Sequence, residues 1–112
     1  MDQERRGLRF AFTASAVIAL ANAPTAFVPA QVTELSLRGC FLETAESYEI
    51  QRPVLVKINY SGEYFEAEAS VLYVRPSGIG LVFGEVKPEF RAVLQKWVLS
   101  TMDSQSDATI SE

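Results

Sequence analysis

Histidine is absent from this 112-residue chain, and cysteine occurs once. Without histidine, the commonest general acid–base, the usual partner of a serine or cysteine nucleophile and the commonest metal ligand are missing together. One thiol with no imidazole builds neither an internal disulfide nor a zinc site, so Cys40 reads as a small buried hydrophobe kept reduced in the cytoplasm. Carboxylate-only chemistry remains formally open, but the acidic residues do not gather with aromatic rings of the kind that stack on sugars. The chain is therefore read as a non-enzyme, with no metal or redox cofactor. A cationic excess is lacking too. The net charge is −4, which argues against a general DNA or RNA binder, whose affinity comes from many lysines and arginines neutralising phosphates. No apolar run approaches the ~20 residues that span a bilayer, so membrane insertion is not expected. Arg5-Arg6, the Ala-rich stretch from Ala11 and Ala21-Asn22-Ala23 imitate a secretory leader. That stretch is broken by Thr13 and Ser15, Pro24 is a poor residue behind a cleavage point, and removal would delete a strand. It is read as part of the fold.

What is present is a hydrophobic content of 48%, enough for one core, in a chain of single-domain length. The pattern is mainly of period two. It predicts strands over Phe12–Ala21, Ala30–Leu35, Gly39–Thr44, Pro53–Tyr60, Tyr64–Val74 and Ile79–Phe83. Along the fourth, Val54, Val56, Ile58 and Tyr60 are expected inward; along the fifth, Phe65, Ala67, Ala69, Val71 and Tyr73. Asn22-Ala23-Pro24, Ser36-Leu37-Arg38, Ser61-Gly62-Glu63 and Pro76-Ser77-Gly78 supply the turns, and Gly80 marks a bulge or a close backbone approach. The period then changes. Phe90, Val93, Leu94, Trp97 and Val98 fall on one face of a helix from Pro88 to about Leu99, with proline in its first turn and Glu89 facing the positive end of the dipole. From residue 101 the polar and acidic composition predicts a disordered tail.

Two clusters stand above this background. Glu4-Arg5-Arg6-Gly7-Leu8-Arg9 places three arginines just ahead of the first strand. The guanidinium fork matches phosphate oxygens, and equally O6 and N7 of guanine. Glu34-Leu35-Ser36-Leu37-Arg38-Gly39 joins two strands. There a carboxylate can accept from the N1 and N2 donors of guanine, a hydroxyl can meet a phosphate or a base, and a glycine admits close approach. Taken singly, the first is equally a solvated basic terminus and the second an ordinary β-turn.

Together, Arg5-x-x-x-Arg9, a strand and Glu34-x-Ser36-x-x-Gly39 resemble the PilZ family, a receptor domain for the bacterial messenger cyclic di-GMP, with its signatures RxxxR and [D/N]xSxxG. The resemblance continues through Gly39-Cys40-Phe41-Leu42, Val71-Leu72-Tyr73-Val74-Arg75 and Gly78-Ile79-Gly80-Leu81-Val82-Phe83, spanning residues 4 to 99. It implies a six-stranded antiparallel β-barrel with one C-terminal α-helix. It also implies a domain over residues 1–100 whose first ten form a flexible arginine-bearing arm, with the tail at 101–112. Cyclic di-GMP would bind on the outer face of the barrel. Arg5 and Arg9 would grip phosphates and guanine edges, Glu34, Ser36 and Gly39 would supply the strand-borne contacts, and Arg6 is the secondary candidate should the arm shift register. Output would run through an effector protein that the sequence does not identify; homodimerisation is left open. Glu34 departs from the family pattern of Asp or Asn. It keeps the acceptor oxygens and adds one methylene. The alternative is therefore a degenerate domain that binds no nucleotide and serves as a protein adaptor in motility, pilus or envelope machinery.

Overall fold

The computed structural model describes residues 10–110, with side chains through residue 101. Its elements are β1 (Phe10–Leu20), β2 (Val28–Leu35), β3 (Gly39–Glu43), β4 (Pro53–Tyr60), β5 (Glu63–Arg75), β6 (Gly78–Phe83) and α1 (Pro88–Ile110). All strand pairs are antiparallel, and the order β1-β2-β3-β6-β5-β4 closes into a barrel. The circle consists of two three-strand meanders, β1–β3 and β4–β6. They meet along two seams, β1 against β4 and β3 against β6.

Alternation decides which side chains enter. Phe12, Ala14, Ala16 and Ile18 of β1 and Val54, Val56 and Ile58 of β4 are buried, and their neighbours along the chain, apart from the buried Ala19, are half-buried or exposed. Val32, Leu35, Leu42, Phe65, Val71, Ile79 and Leu81 complete the interior. Each such aliphatic or aromatic side chain contributes about 1.5–3 kcal/mol by leaving water. The hairpin between β4 and β5 is a two-residue turn with both central residues at positive φ, Ser61 at 54° and Gly62 at 80°. That is the turn whose twist suits paired strands.

The helix begins where the carbonyl of Lys87 accepts from the N–H groups of Phe90 (3.0 Å) and Arg91 (2.8 Å). Pro88, which has no N–H to offer, fits the first turn. Leu94, Trp97 and Val98 close one end of the core. Trp97 lies 5.5 Å from Phe12, 5.7 Å from Tyr60 and 6.2 Å from Phe65 between ring centroids, and Phe90 meets Phe65 edge-on at 6.2 Å. The buried indole N–H donates to Glu63 (3.1 Å), whose other oxygen accepts from Lys96 (2.8 Å). The bond from Lys96, and then that from Trp97, holds the Glu63 carboxyl below its ordinary pKa. The helix runs on to Ile110, past Leu99 where its apolar period ends and into the segment expected as a tail. No proline or glycine follows Pro88 to stop it.

Tyr60, at the end of its strand, is 39% exposed at the rim but packs its ring against the buried Phe12 and Trp97. One inward assignment is corrected. Tyr73 faces outward, because β5 shifts register between Val71 and Tyr73. The irregularity expected at Gly80 of β6 sits on the opposing strand, and an extra residue there turns the following side chain to the other face.

Candidate functional site

The link from β2 to β3 is a tight turn built on one side chain. Ser36 is 4% exposed. Its hydroxyl accepts from the N–H groups of Arg38 (3.1 Å) and Gly39 (3.1 Å) and lies 3.3 Å from the Gly39 carbonyl, to which it donates. The Ser36 N–H donates to the same carbonyl (2.9 Å), and the Arg38 carbonyl accepts from Phe83 (2.7 Å). Gly39 starts β3 so close to β6 that a methyl group there would overlap the Leu81 carbonyl. The turn thus uses the serine, and the close approach of β6 requires the glycine.

Beside the turn, cross-strand pairing lines up a row on the outer face. Ala11 of β1 pairs with Glu34 of β2, Glu34 with Phe41 of β3, Phe41 with Gly80 of β6, and Gly80 with Tyr73 of β5. Neighbouring strands lie about 4.8 Å apart, and paired residues share a face. Cys40 and Leu42 point inward, so Phe41 points outward, yet it is only 8% exposed. The Tyr73 ring stacks beside it at 6.2 Å and 24°, and the Arg75 guanidinium sits 4.7 Å from the centre of that ring. Gly80 makes this possible, since a methyl there would overlap the ring. Glu34 is exposed at one end of the row and Arg75 at the other. The result is a carboxylate, a half-buried tyrosine ring backed by the buried Phe41, and a guanidinium along one band of the barrel, groups suited to the edge and the plane of a nucleobase.

Arg5, Arg6 and Arg9 lie outside the described residues. Chain connectivity still fixes where their segment is attached: Phe10 is paired with Leu35, between Glu34 and Ser36. The first cluster is therefore joined to the barrel at the corner that carries the second. Glu34, Ser36 and Gly39 are adjacent there, Ser36 and Gly39 buried and Glu34 exposed. Phe41, Tyr73 and Arg75 escaped the sequence reading as site residues. Phe41 and Tyr73 were strand hydrophobes without distinction, and only the bulge turns Tyr73 outward. A glycine opposite an aromatic was the available signal. A groove of about 490 Å³, lined by Leu55, Lys57, Glu66, Glu68, Val86 and Phe90 among others, lies on β4, β5 and the approach to α1. It shares none of the row's residues.

Comparison with known proteins adds the following. The family model for the PilZ domain matches residues 3–100. No curated protein matches the chain. Among solved structures, the PilZ domain of CeSA from a cellulose-synthesizing bacterium superposes with a TM-score of 0.67 at 14% identity, over 84% of this chain and 97% of that one. The PilZ domain of YcgR from Escherichia coli, solved with c-di-GMP, superposes with a TM-score of 0.69 at 16% identity, over 94% and 96% of the respective chains. At these identities the likeness is one of fold.

Proposed function

Because this chain belongs to the PilZ domain family, we propose that it is a receptor for cyclic di-GMP whose site is the outer-face row running from Glu34 to Tyr73. The observation that carries this reading is the point at which the arginine-bearing segment is attached. The segment bearing Arg5, Arg6 and Arg9 joins the barrel at Phe10, opposite Leu35 and beside both Glu34 and the Ser36 turn. In this reading Arg5 and Arg9 close over the phosphates and guanine edges, with Arg6 able to replace either. Glu34 accepts from a guanine edge, Ser36 and Gly39 shape the turn, and the Tyr73 ring offers a stacking face. Ligand would order the arginine arm against the barrel and alter the surface offered to an effector protein, in the cytoplasm where Cys40 stays reduced. The nucleotide is an effector and not a substrate, and no step needs a metal or redox cofactor.

A second reading is favoured by Glu34 itself. A carboxylate one methylene longer than the family's aspartate moves its oxygens by about an ångström, which is enough to lose a polar contact. The domain would then act as a protein adaptor without nucleotide.

Calorimetric titration of cyclic di-GMP into the parent and into Arg5→Ala, Arg9→Ala and Glu34→Asp separates these. Micromolar or tighter binding that either arginine change abolishes supports the receptor. Binding gained only in Glu34→Asp identifies a receptor silenced at one position. No binding by any folded variant leaves the adaptor.

A further inference from the structure

Resting on that reading of the site, we propose that Arg38 is a further ligand-gripping residue and that the Ser36 hydroxyl acts on the turn alone. A serine hydroxyl has one proton and two lone pairs. In Ser36 the proton goes to the Gly39 carbonyl, and the lone pairs take the N–H groups of Arg38 and Gly39. The carbonyls of Arg38 and Gly39 are held by the N–H groups of Phe83 and Ser36. Neither the hydroxyl nor those two N–H groups can then receive an anion unless the turn opens. What the turn does hold out is two side chains, Leu37 at 55% exposure and the exposed Arg38.

Among the described residues no carboxylate pairs with Arg38, whereas Arg52 and Lys96 each have one. Its backbone is pinned on both sides, through its own N–H to Ser36 and its carbonyl to Phe83. It stands in the turn one residue before β3 and three before Phe41, about 10 Å along the chain from the row. A guanidinium on a fixed backbone loses less freedom on binding than one on a mobile loop, and its fork takes phosphate oxygens or a guanine edge in pairs. The buried serine thus sets the position of the arginine that meets the ligand.

The test is calorimetric titration of cyclic di-GMP into the parent, Arg38→Ala, Arg38→Lys, Ser36→Ala and Arg9→Ala, each with a thermal melt. Arg38→Ala should keep the parental Tm and weaken binding by about tenfold or more, as loss of a charge-assisted contact does. Arg38→Lys, which keeps the charge and loses the fork, should fall between. Ser36→Ala should lose Tm and affinity together. Arg38→Ala binding like the parent, while Arg9→Ala is weakened, would overturn the assignment and leave the site reading standing. Loss of affinity in Ser36→Ala at unchanged Tm would put the hydroxyl on the ligand and overturn the turn-only role. A parent that binds nothing is not a receptor, and the assignment of Arg38 falls with that reading.

Discussion

Gly80 and Gly39 are both confined, but by different neighbours, and the difference is testable. At Gly80 the obstacle to a methyl group is the Tyr73 ring; at Gly39 it is the main-chain carbonyl of Leu81. A ring can be removed and a carbonyl cannot. Gly80→Ala should destabilise by about 1–3 kcal/mol, the usual cost of overpacking. Most of that should be absent when Gly80→Ala is made in a Tyr73→Ala background, because the two residues share one contact. Urea denaturation of the four proteins in the cycle measures the coupling, and additive costs would show that the ring is not what confines Gly80. Gly39→Ala should be the more damaging change, with no partner truncation that relieves it. Ser36 makes a related point. Its presence in the motif was legible, but its saturation was not, because hydrogen bonds to Arg38 and Gly39 depend on how the turn closes.

The helix is tied to the β4–β5 hairpin by Glu63, which accepts from Lys96 and from the buried indole of Trp97. These bonds lower the Glu63 pKa in the folded state, so the carboxylate form is the one the fold favours. The linkage follows in sign: the contribution is complete above the ordinary carboxylate pKa and is lost as the pH falls through the lower folded value. Trp97 is the only tryptophan in the chain, so its emission reports the clasp directly. Melts followed at Trp97 should lose Tm on acidification, and Glu63→Gln should flatten that part of the profile; an unchanged profile would place the acid sensitivity elsewhere. At this scale the sequence was largely readable. Polar residues alternating with apolar ones, as in Val56-Lys57-Ile58-Asn59, mark a strand and its inner face together. The bulge was not readable, since Val71-Leu72-Tyr73-Val74 has no polar residue to show where alternation slips. The outer-face row was hidden for another reason. Glu34, Phe41, Gly80 and Tyr73 are neighbours only through strand pairing, which brings distant parts of the chain together.

On the scale of the whole molecule, the six described strands close into a barrel, and none of them is an edge strand along its full length. A partner of the described barrel is therefore expected to read faces, turns or the helix. Four of the six strand pairs join neighbours in sequence; the seams β1–β4 and β3–β6 do not. The row crosses the β3–β6 seam between Phe41 and Gly80, so a nucleotide seated on it would touch both meanders. Hydrogen exchange in the presence of cyclic di-GMP should therefore slow most at the amides of the β3–β6 ladder, with little change inside the β4–β5 hairpin. Equal slowing throughout the barrel would mean that the ligand does not act on this seam.

That seam also bears on time. If the two meanders part at a seam before their hairpins come apart, a molecule lying across that join adds contacts that must break first. The concentration of messenger would then be registered as the interval for which the domain stays shut, and a slow partner would have that interval in which to find it.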